Sequence, residues 1–188
     1  MGKVSVFLHL TLDGFYAGPN GEIDWFKSIG QDPEYDAYTH GESEAGNTLI
    51  FGRTTYEMMK SWWPTPAAIA ADPKMAAVVN ESPKIVFSRK LKAVEEAPNW
   101  KNITLRHEID PGHVRTLKAK GDLTILGSGS IVQQFANLRL IEEYALIVVP
   151  LVLGRGKSLF EGIEKSDVQL LESRSFRNGL VLLRYKPA

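Results

Sequence analysis

Residues 48–57 read Thr-Leu-Ile-Phe-Gly-Arg-Thr-Thr-Tyr-Glu, and residues 123–131 read Leu-Thr-Ile-Leu-Gly-Ser-Gly-Ser-Ile. Each is an apolar run of strand length that meets a glycine and passes into a helical pattern with no spacer. In the first, Thr54-Thr55-Tyr56-Glu57 has the form of a capping box for a helix running to about Trp62. In the second, Ile131, Phe135 and Leu138 recur at helical spacing. A strand-glycine-helix unit used twice points to an α/β chain with parallel strands.

The flanking sequence fits that reading. Val4, Val6, Leu8, Leu10 and Leu12 alternate with Lys3, Ser5, Phe7, His9 and Thr11, which predicts a strand from the first residues onward. Residues 13–30, with Gly14, Gly18, Pro19, Gly21 and Gly30, predict a long irregular loop that carries Trp25 and Phe26. Asp32-Pro33 opens a short helix of about two turns that Gly41 can close, and Asp72-Pro73 and Asp110-Pro111 open two more. Strands are expected over 84–88, 102–106 and 141–149, with Pro150 marking a bulge or an edge position. Asn178-Gly179 is a hairpin turn between strands 168–174 and 180–185. The expectation is one domain, residues 1–188, with a mostly parallel sheet and an antiparallel C-terminal edge.

Composition narrows the function. The 188 residues hold 22 basic and 22 acidic side chains, so no net field favours nucleic acid. With no cysteine, thiolate catalysis, disulfides and Cys-based metal sites are excluded, which fits a reducing cytoplasm. The longest apolar run, 146–153, is too short to span a bilayer, and no signal-peptide core is visible. Gly156-Lys157-Ser158 has Leu151 where a P-loop needs its first glycine, and Val132 stands where a Rossmann fingerprint needs its third. His9, His40, His107 and His113 lack metal-ligand spacing, and no serine sits in a nucleophile elbow.

What remains is the pair of junctions. A helix N-terminus after a glycine offers free backbone N–H groups and a partial positive charge to a phosphate, so two of them suit the two phosphates of a dinucleotide. Ser88-Arg89-Lys90, joined by Arg53 if the two strands are neighbours, would hold a monoester phosphate and so favours NADPH over NADH.

Gly52-Arg53-Thr54-Thr55-Tyr56-Glu57, then Ser88-Arg89, then Leu126-Gly127-Ser128-Gly129-Ser130-Ile131, in this order and spacing, resemble dihydrofolate reductase. Leu12-Asp13-Gly14, Ala17-Gly18, Pro150, Gly154-x-Gly156 and Leu159-Phe160 resemble more closely the reductase domain of the riboflavin-biosynthesis deaminase-reductase, of which small stand-alone bacterial members exist. The resemblance implies a three-layer α/β fold: a central, mostly parallel eight-stranded sheet with helices on both faces and an antiparallel C-terminal hairpin. It implies NADPH across the C-terminal strand edges and substrate under the first long loop. Gly52, Arg53, Thr54 and Thr55 would serve the phosphates and Ser88 and Arg89 the 2'-phosphate. Gly127, Ser128, Gly129, Ser130 and Ile131 would serve the pyrophosphate and nicotinamide ribose. Where dihydrofolate reductase joins two glycines by a cis peptide, this chain has Gly127-Ser128.

The resemblance also implies an acid on the helix after the loop, Asp36 or else Glu34, as anchor and proton source for the substrate ring. Trp25, Phe26, Trp62 and Trp63 are aromatic candidates to pack around that ring. Phe15 stands where the riboflavin enzymes follow Asp-Gly with lysine. The expected activity is hydride transfer from NADPH to a pterin-like or aminouracil-ribotide substrate, by a cytoplasmic homodimer that engages neither nucleic acid nor membrane. Dihydrofolate reduction and NADPH binding without turnover are the alternatives.

Overall fold

The computed structural model describes residues 2–43 and 46–188. Strand β1 (Val4–Thr11) buries Val4, Val6, Leu8 and Leu10 on one face. A short strand β2 (Phe15–Ala17) and a 3-10 turn at Asp24–Ser28 come next, then α1 (Pro33–Ser43), β3 (Thr48–Gly52), α2 (Arg53–Trp62), α3 (Pro66–Ala71) and α4 (Pro73–Glu81). They are followed by β4 (Lys84–Phe87), β5 (Ile103–Arg106), α5 (Pro111–Lys118), β6 (Leu123–Leu126) and α6 (Gly129–Asn137). The chain closes with β7 (Glu143–Val149), β8 (Lys157–Ser158), β9 (Val168–Ser175) and β10 (Val181–Pro187).

Eight strands form one sheet in the order β5-β4-β3-β6-β1-β7-β10-β9. β5 through β7 pair in parallel, and β7-β10-β9 are antiparallel, as expected of the C-terminal hairpin. Val114 of α5 and Ile131, Val132 and Phe135 of α6 pack with β1 and β6 residues on one face. On the other face, Tyr56 of α2 and Val79 of α4 cover one half, and Tyr35 and Tyr38 of α1 cover the other. The three-layer α/β architecture is therefore present.

The differences from the sequence reading have local causes. Within 13–30, β2 pairs with β8 as a separate two-stranded ladder, an element too short to show periodicity. α1 runs through Gly41 to Ser43, longer than two turns, with the Ser43 hydroxyl donating to Thr39 O and Met75 Sδ. α2 begins at Arg53 with no side-chain cap, so Thr54 to Glu57 do not act as a capping box, and Glu57 pairs with Arg53 instead. α3 was not anticipated; Thr65 Oγ1 caps it, accepting from Ala68 N, and Pro66 is its first residue. Pro150 neither bulges a strand nor marks an edge: it follows the end of β7, which lies between β1 and β10. β4 starts on a buried lysine. Lys84 Nζ donates to the carbonyls of Asn80, Ser82 and Lys101 over the Trp100 ring, and its burial pushes it down to about 8.

Candidate active site

The registers bring the predicted residues together. Gly52 pairs with Phe87, so Arg53 and Ser88 follow at the same level on adjacent strands β3 and β4. On the other side of β3 lies β6, and Gly52 N donates to Ser128 Oγ at 2.7 Å. Ser128 Oγ in turn donates to Thr55 Oγ1 at 2.7 Å, which locks the two glycine junctions to each other. All three motifs therefore line the C-terminal edge of three neighbouring strands, in the order Ser88, Gly52, Gly127.

The helix starts at these junctions differ from the others. Acid or hydroxyl side chains cap α1 (Asp32), α3 (Thr65), α4 (Asp72) and α5 (Asp110). α2 and α6 have no side-chain cap. Their first-turn N–H groups, those of Arg53, Thr54 and Thr55 and of Gly129 and Ser130, have no intrahelical acceptor. Capping residues typically contribute about 1 kcal/mol each, so two bare N-termini side by side forgo stability and leave a double cluster of donors.

Gly127 has φ +58° and Ser128 has φ +55° and ψ +60°, a left-handed pair that turns the chain sharply into α6. Among the described residues no peptide bond is cis, so Gly127-Ser128 is trans. Gly129 answers to a different neighbour than its motif suggested. A Cβ on it would lie 2.3 Å from Tyr16 Cε1, so this glycine admits the β2 tyrosine against α6. Ile131 is core: its side chain is buried and its N–H is bonded to Ser128 O. Ser130 and Thr54 are exposed in the first turns of their helices.

At the β4 end, Ser88 Oγ accepts from Lys90 N and Leu91 N, which leaves its hydroxyl proton free to donate. Arg89 is exposed and has no partner among the described residues. Arg53 is held against Glu57 at 2.9 Å and is half-exposed. His107 joins this end unannounced by sequence, its Nδ1 lying 2.8 Å from Ser88 O. A surface cavity of about 410 Å³ lies beside it, lined by Arg106, His107, Glu108, Asp110 and His113.

At the β1 end the aromatic candidates separate. Trp25 is buried and stacks on Phe26 with centroids 4.3 Å apart, and Phe26 is half-exposed against His9 at 4.8 Å. Trp25 therefore backs the wall, and Phe26 is its open member. Trp62 and Trp63 sit at the far end of α2, about 15 Å from its N-terminus, and cannot flank the same ring. Asp36 is exposed and makes no side-chain hydrogen bond among the described residues, so the expected burial beneath the loop is not found. It shares an α1 face with His40 and Ser43, which bond to Asp72 and Met75, and lies one turn nearer the active edge. Glu34 is engaged by Arg174 and points away from that face. Asp13 fixes the loop itself. The Thr11 hydroxyl, then the N–H groups of Gly154 and Leu153, hold its carboxyl down at about 2.

Sequence reading passed over the His9–Tyr35 pair, whose Nε2 and Oη are 2.6 Å apart. The alternation of β1 had placed His9 on the opposite face from its core residues, but nothing local showed that Tyr35 would meet it.

Comparison with known proteins accords with this geometry. The profile of the RibD C-terminal domain matches residues 2–182. The chain belongs to the RibD C-terminal domain family. The uncharacterized proteins YyaP and YwjB of Bacillus subtilis strain 168 are 28% and 27% identical to it, each over 185 residues. Those alignments cover 97% and 96% of this chain and 94% and 95% of the relatives. A Shewanella sp. PV-4 protein assigned provisionally to riboflavin biosynthesis has a similar structure, with TM-score 0.78 and 24% identity over 100% of this chain and 99% of its own. The Thermotoga maritima diaminohydroxyphosphoribosylaminopyrimidine deaminase/5-amino-6-(5-phosphoribosylamino)uracil reductase follows at TM-score 0.68 and 16% identity; all of this chain spans 57% of it. Enterococcus faecalis dihydrofolate reductase, complexed with NADP(H) and RAB-propyl, aligns at TM-score 0.63 and 13% identity over 99% of this chain and 96% of its own. The fold is thus dihydrofolate reductase-like.

Proposed function

We propose that this chain is a single-domain NADPH-dependent reductase that transfers hydride to a flat, nitrogen-rich heterocycle or its ribosyl adduct. A 5-amino-6-(5-phosphoribosylamino)uracil-like or pterin-like compound fits that description. The observation that carries this is the pair of uncapped helix N-termini, α2 and α6, locked together through Ser128 beside the cations of β4. Arg53, Thr54, Thr55, Gly129 and Ser130 would hold the phosphates through backbone N–H groups, and Ser88, Arg89 and Arg53 the 2'-phosphate. Bound there, the nicotinamide would supply the hydride. The chain's own part is orientation: Phe26 and its Trp25 backing would place the ring, and Asp36 is the acid available for the accompanying proton.

Dihydrofolate reduction and nucleotide binding without turnover rest on the same groove. Oxidation of NADPH on mixing with dihydropterins, dihydrofolate and aminouracil ribotides separates the three. Binding is tested by tryptophan quenching with NADPH and NADH. A preference for NADPH of roughly ten- to a hundredfold, mostly lost in Arg89→Ala, is the expected result. Equal affinity for the two nucleotides would remove the 2'-phosphate assignment. The exposed apolar residues Val168, Leu170 and Leu171 on the edge strand β9 offer the surface for a homodimer. No helix among the described residues is long and apolar enough to cross a membrane. A cytoplasmic location suits the cysteine-free chain.

A further inference from the structure

β1 lies beside β6 with Phe7 opposite Leu126, and Gly127 N donates to Phe7 O at 3.3 Å. The ladder ends there while β1 runs on beside β7, so His9 lies two residues past the last β6 pair, beyond the strand end from which Gly127 and Ser128 turn into α6. His9 stands on the α1 face of the sheet, with the Phe26 ring 4.8 Å from its own. Its Nε2 is 2.6 Å from Tyr35 Oη, and neither Nδ1 nor the Tyr35 hydroxyl has another partner among the described residues. With the Tyr35 hydroxyl as donor to Nε2, the single ring proton of a neutral imidazole sits on Nδ1. Burial pushes His9 down to about 4, so the imidazole is neutral at ordinary pH. Tyr38 and Asp36, the titratable neighbours of Tyr35 on α1, both raise its pKa beyond what burial alone does, which keeps the phenol protonated.

We propose that Tyr35 fixes His9 as a neutral hydrogen-bond donor which, through Nδ1, recognises a carbonyl oxygen on the heterocyclic ring of the substrate. This rests on the reading of the groove as a reductase site for where that ring lies. His9 is then a specificity-determining residue, and Tyr35 is a positioning residue acting through it. A carbonyl presents lone pairs to the N–H, whereas an exocyclic amine at the same place presents a second donor and leaves both groups unpaired. The site therefore selects a pyrimidinedione over an amino-substituted ring of the same shape.

The test compares 5,6-diaminouracil with 2,4,5,6-tetraaminopyrimidine, in which amines replace both ring carbonyls. Each is titrated into the full chain, with and without NADPH at mildly alkaline pH, and read by tryptophan fluorescence, to which Trp25, stacked on Phe26, contributes. The uracil binding tighter by about tenfold is the expected result, the size of one buried hydrogen bond and its mismatch penalty. That preference should shrink to about twofold or less in Tyr35→Phe and in His9→Phe. Equal binding of the two probes, binding of neither, or an undiminished preference in Tyr35→Phe overturns the proposal. Tyr35→Phe removes one oxygen and retains the ring that packs on Phe176, so it carries the test even where His9→Phe fails to fold. Preference for the uracil without NADPH binding would refute the nucleotide reading and leave His9 its role. NADPH binding without the preference would do the reverse.

Discussion

The neutral state of His9 makes a sharp statement about stability and pH. Its folded pKa lies at about 4 because burial disfavours the charged ring, against 6.5 for the same group in water. The unfolded chain therefore takes up a proton that the folded chain refuses. Stability from this group is complete above about pH 6.5 and declines as pH falls toward 4, where the slope ends because the folded state begins to protonate too. A difference of about 2.5 units at about 1.4 kcal/mol each gives a loss of about 3 kcal/mol across that window. For a domain of this size that is a fall in Tm of roughly 6–12 °C. Carboxylates held low, such as Asp13 near 2 by Thr11 and the loop N–H groups, lose their contribution only as pH falls below their unfolded values near 4, so they act beneath this window. The assay is urea unfolding of the wild type and of His9→Gln, which reaches toward Tyr35 without titrating, at intervals from pH 7 to 4. The two curves should converge as pH falls, because only the wild type carries the extra slope. Parallel curves would show that His9 is solvated, and the packing of Phe26 and Tyr35 on it would lose its energetic meaning.

Three further expectations follow from the groove. Gly129→Val should destabilise the fold by about 1–3 kcal/mol in a thermal melt, because the new side chain meets the Tyr16 ring; Tyr16→Ala in the same chain should recover part of that loss. Ser128→Asp keeps an acceptor for Gly52 N, reverses the bond to Thr55 so that the Thr55 hydroxyl donates to the carboxylate, and adds a negative charge beside two helix N-termini. It should leave stability unchanged or raised by up to about 1 kcal/mol while cutting NADPH affinity at least tenfold by titration. Asp36→Asn should bind NADPH normally and reduce turnover about tenfold or more with an altered pH profile; unchanged turnover would move the proton source to water.

The convergence of the three motifs at the proposed nucleotide end was legible because its signals are local. Glycine at a strand end, a helix pattern directly after it, and Ser88-Arg89 after an apolar run each occupy a few consecutive residues. The sheet order then only had to place β4 and β6 on either side of β3, as parallel α/β topology does. The proposed substrate end was less legible because its contacts are distant in sequence. His9 meets Tyr35 across 26 positions, and Asp13 holds the Leu153-Gly154 turn from 140 and 141 positions away. No periodicity encodes such pairs. Gly129 shows the opposite failure: the motif was visible, but the atom filling its missing side chain came from Tyr16, in a strand of three residues.

The distribution of helix caps ties these strands of argument together. Asp32, Thr65, Asp72 and Asp110 each stand before a proline and each accept from first-turn N–H groups, so those four starts are built for stability; the three aspartates were legible in the sequence and Thr65 was not. Asp32 serves twice: against the cost of its burial, N–H bonds from Asn178 of the β9-β10 hairpin as well as from Glu34 and Tyr35 hold its carboxyl low. At α2 and α6 the chain uses glycine and a left-handed serine instead, and turns the serine hydroxyl away from its own helix toward Gly52 N. An acid at either place would satisfy the same N–H groups and at once repel a phosphate. The two bare starts are next to each other, locked through Ser128, at the strand edge where the cations lie; the capped start of α5 at Asp110 lies at the same edge, lining the cavity with His107. Stability alone gives no reason to leave these two adjacent starts bare; the proposed anion bridging the two helices would.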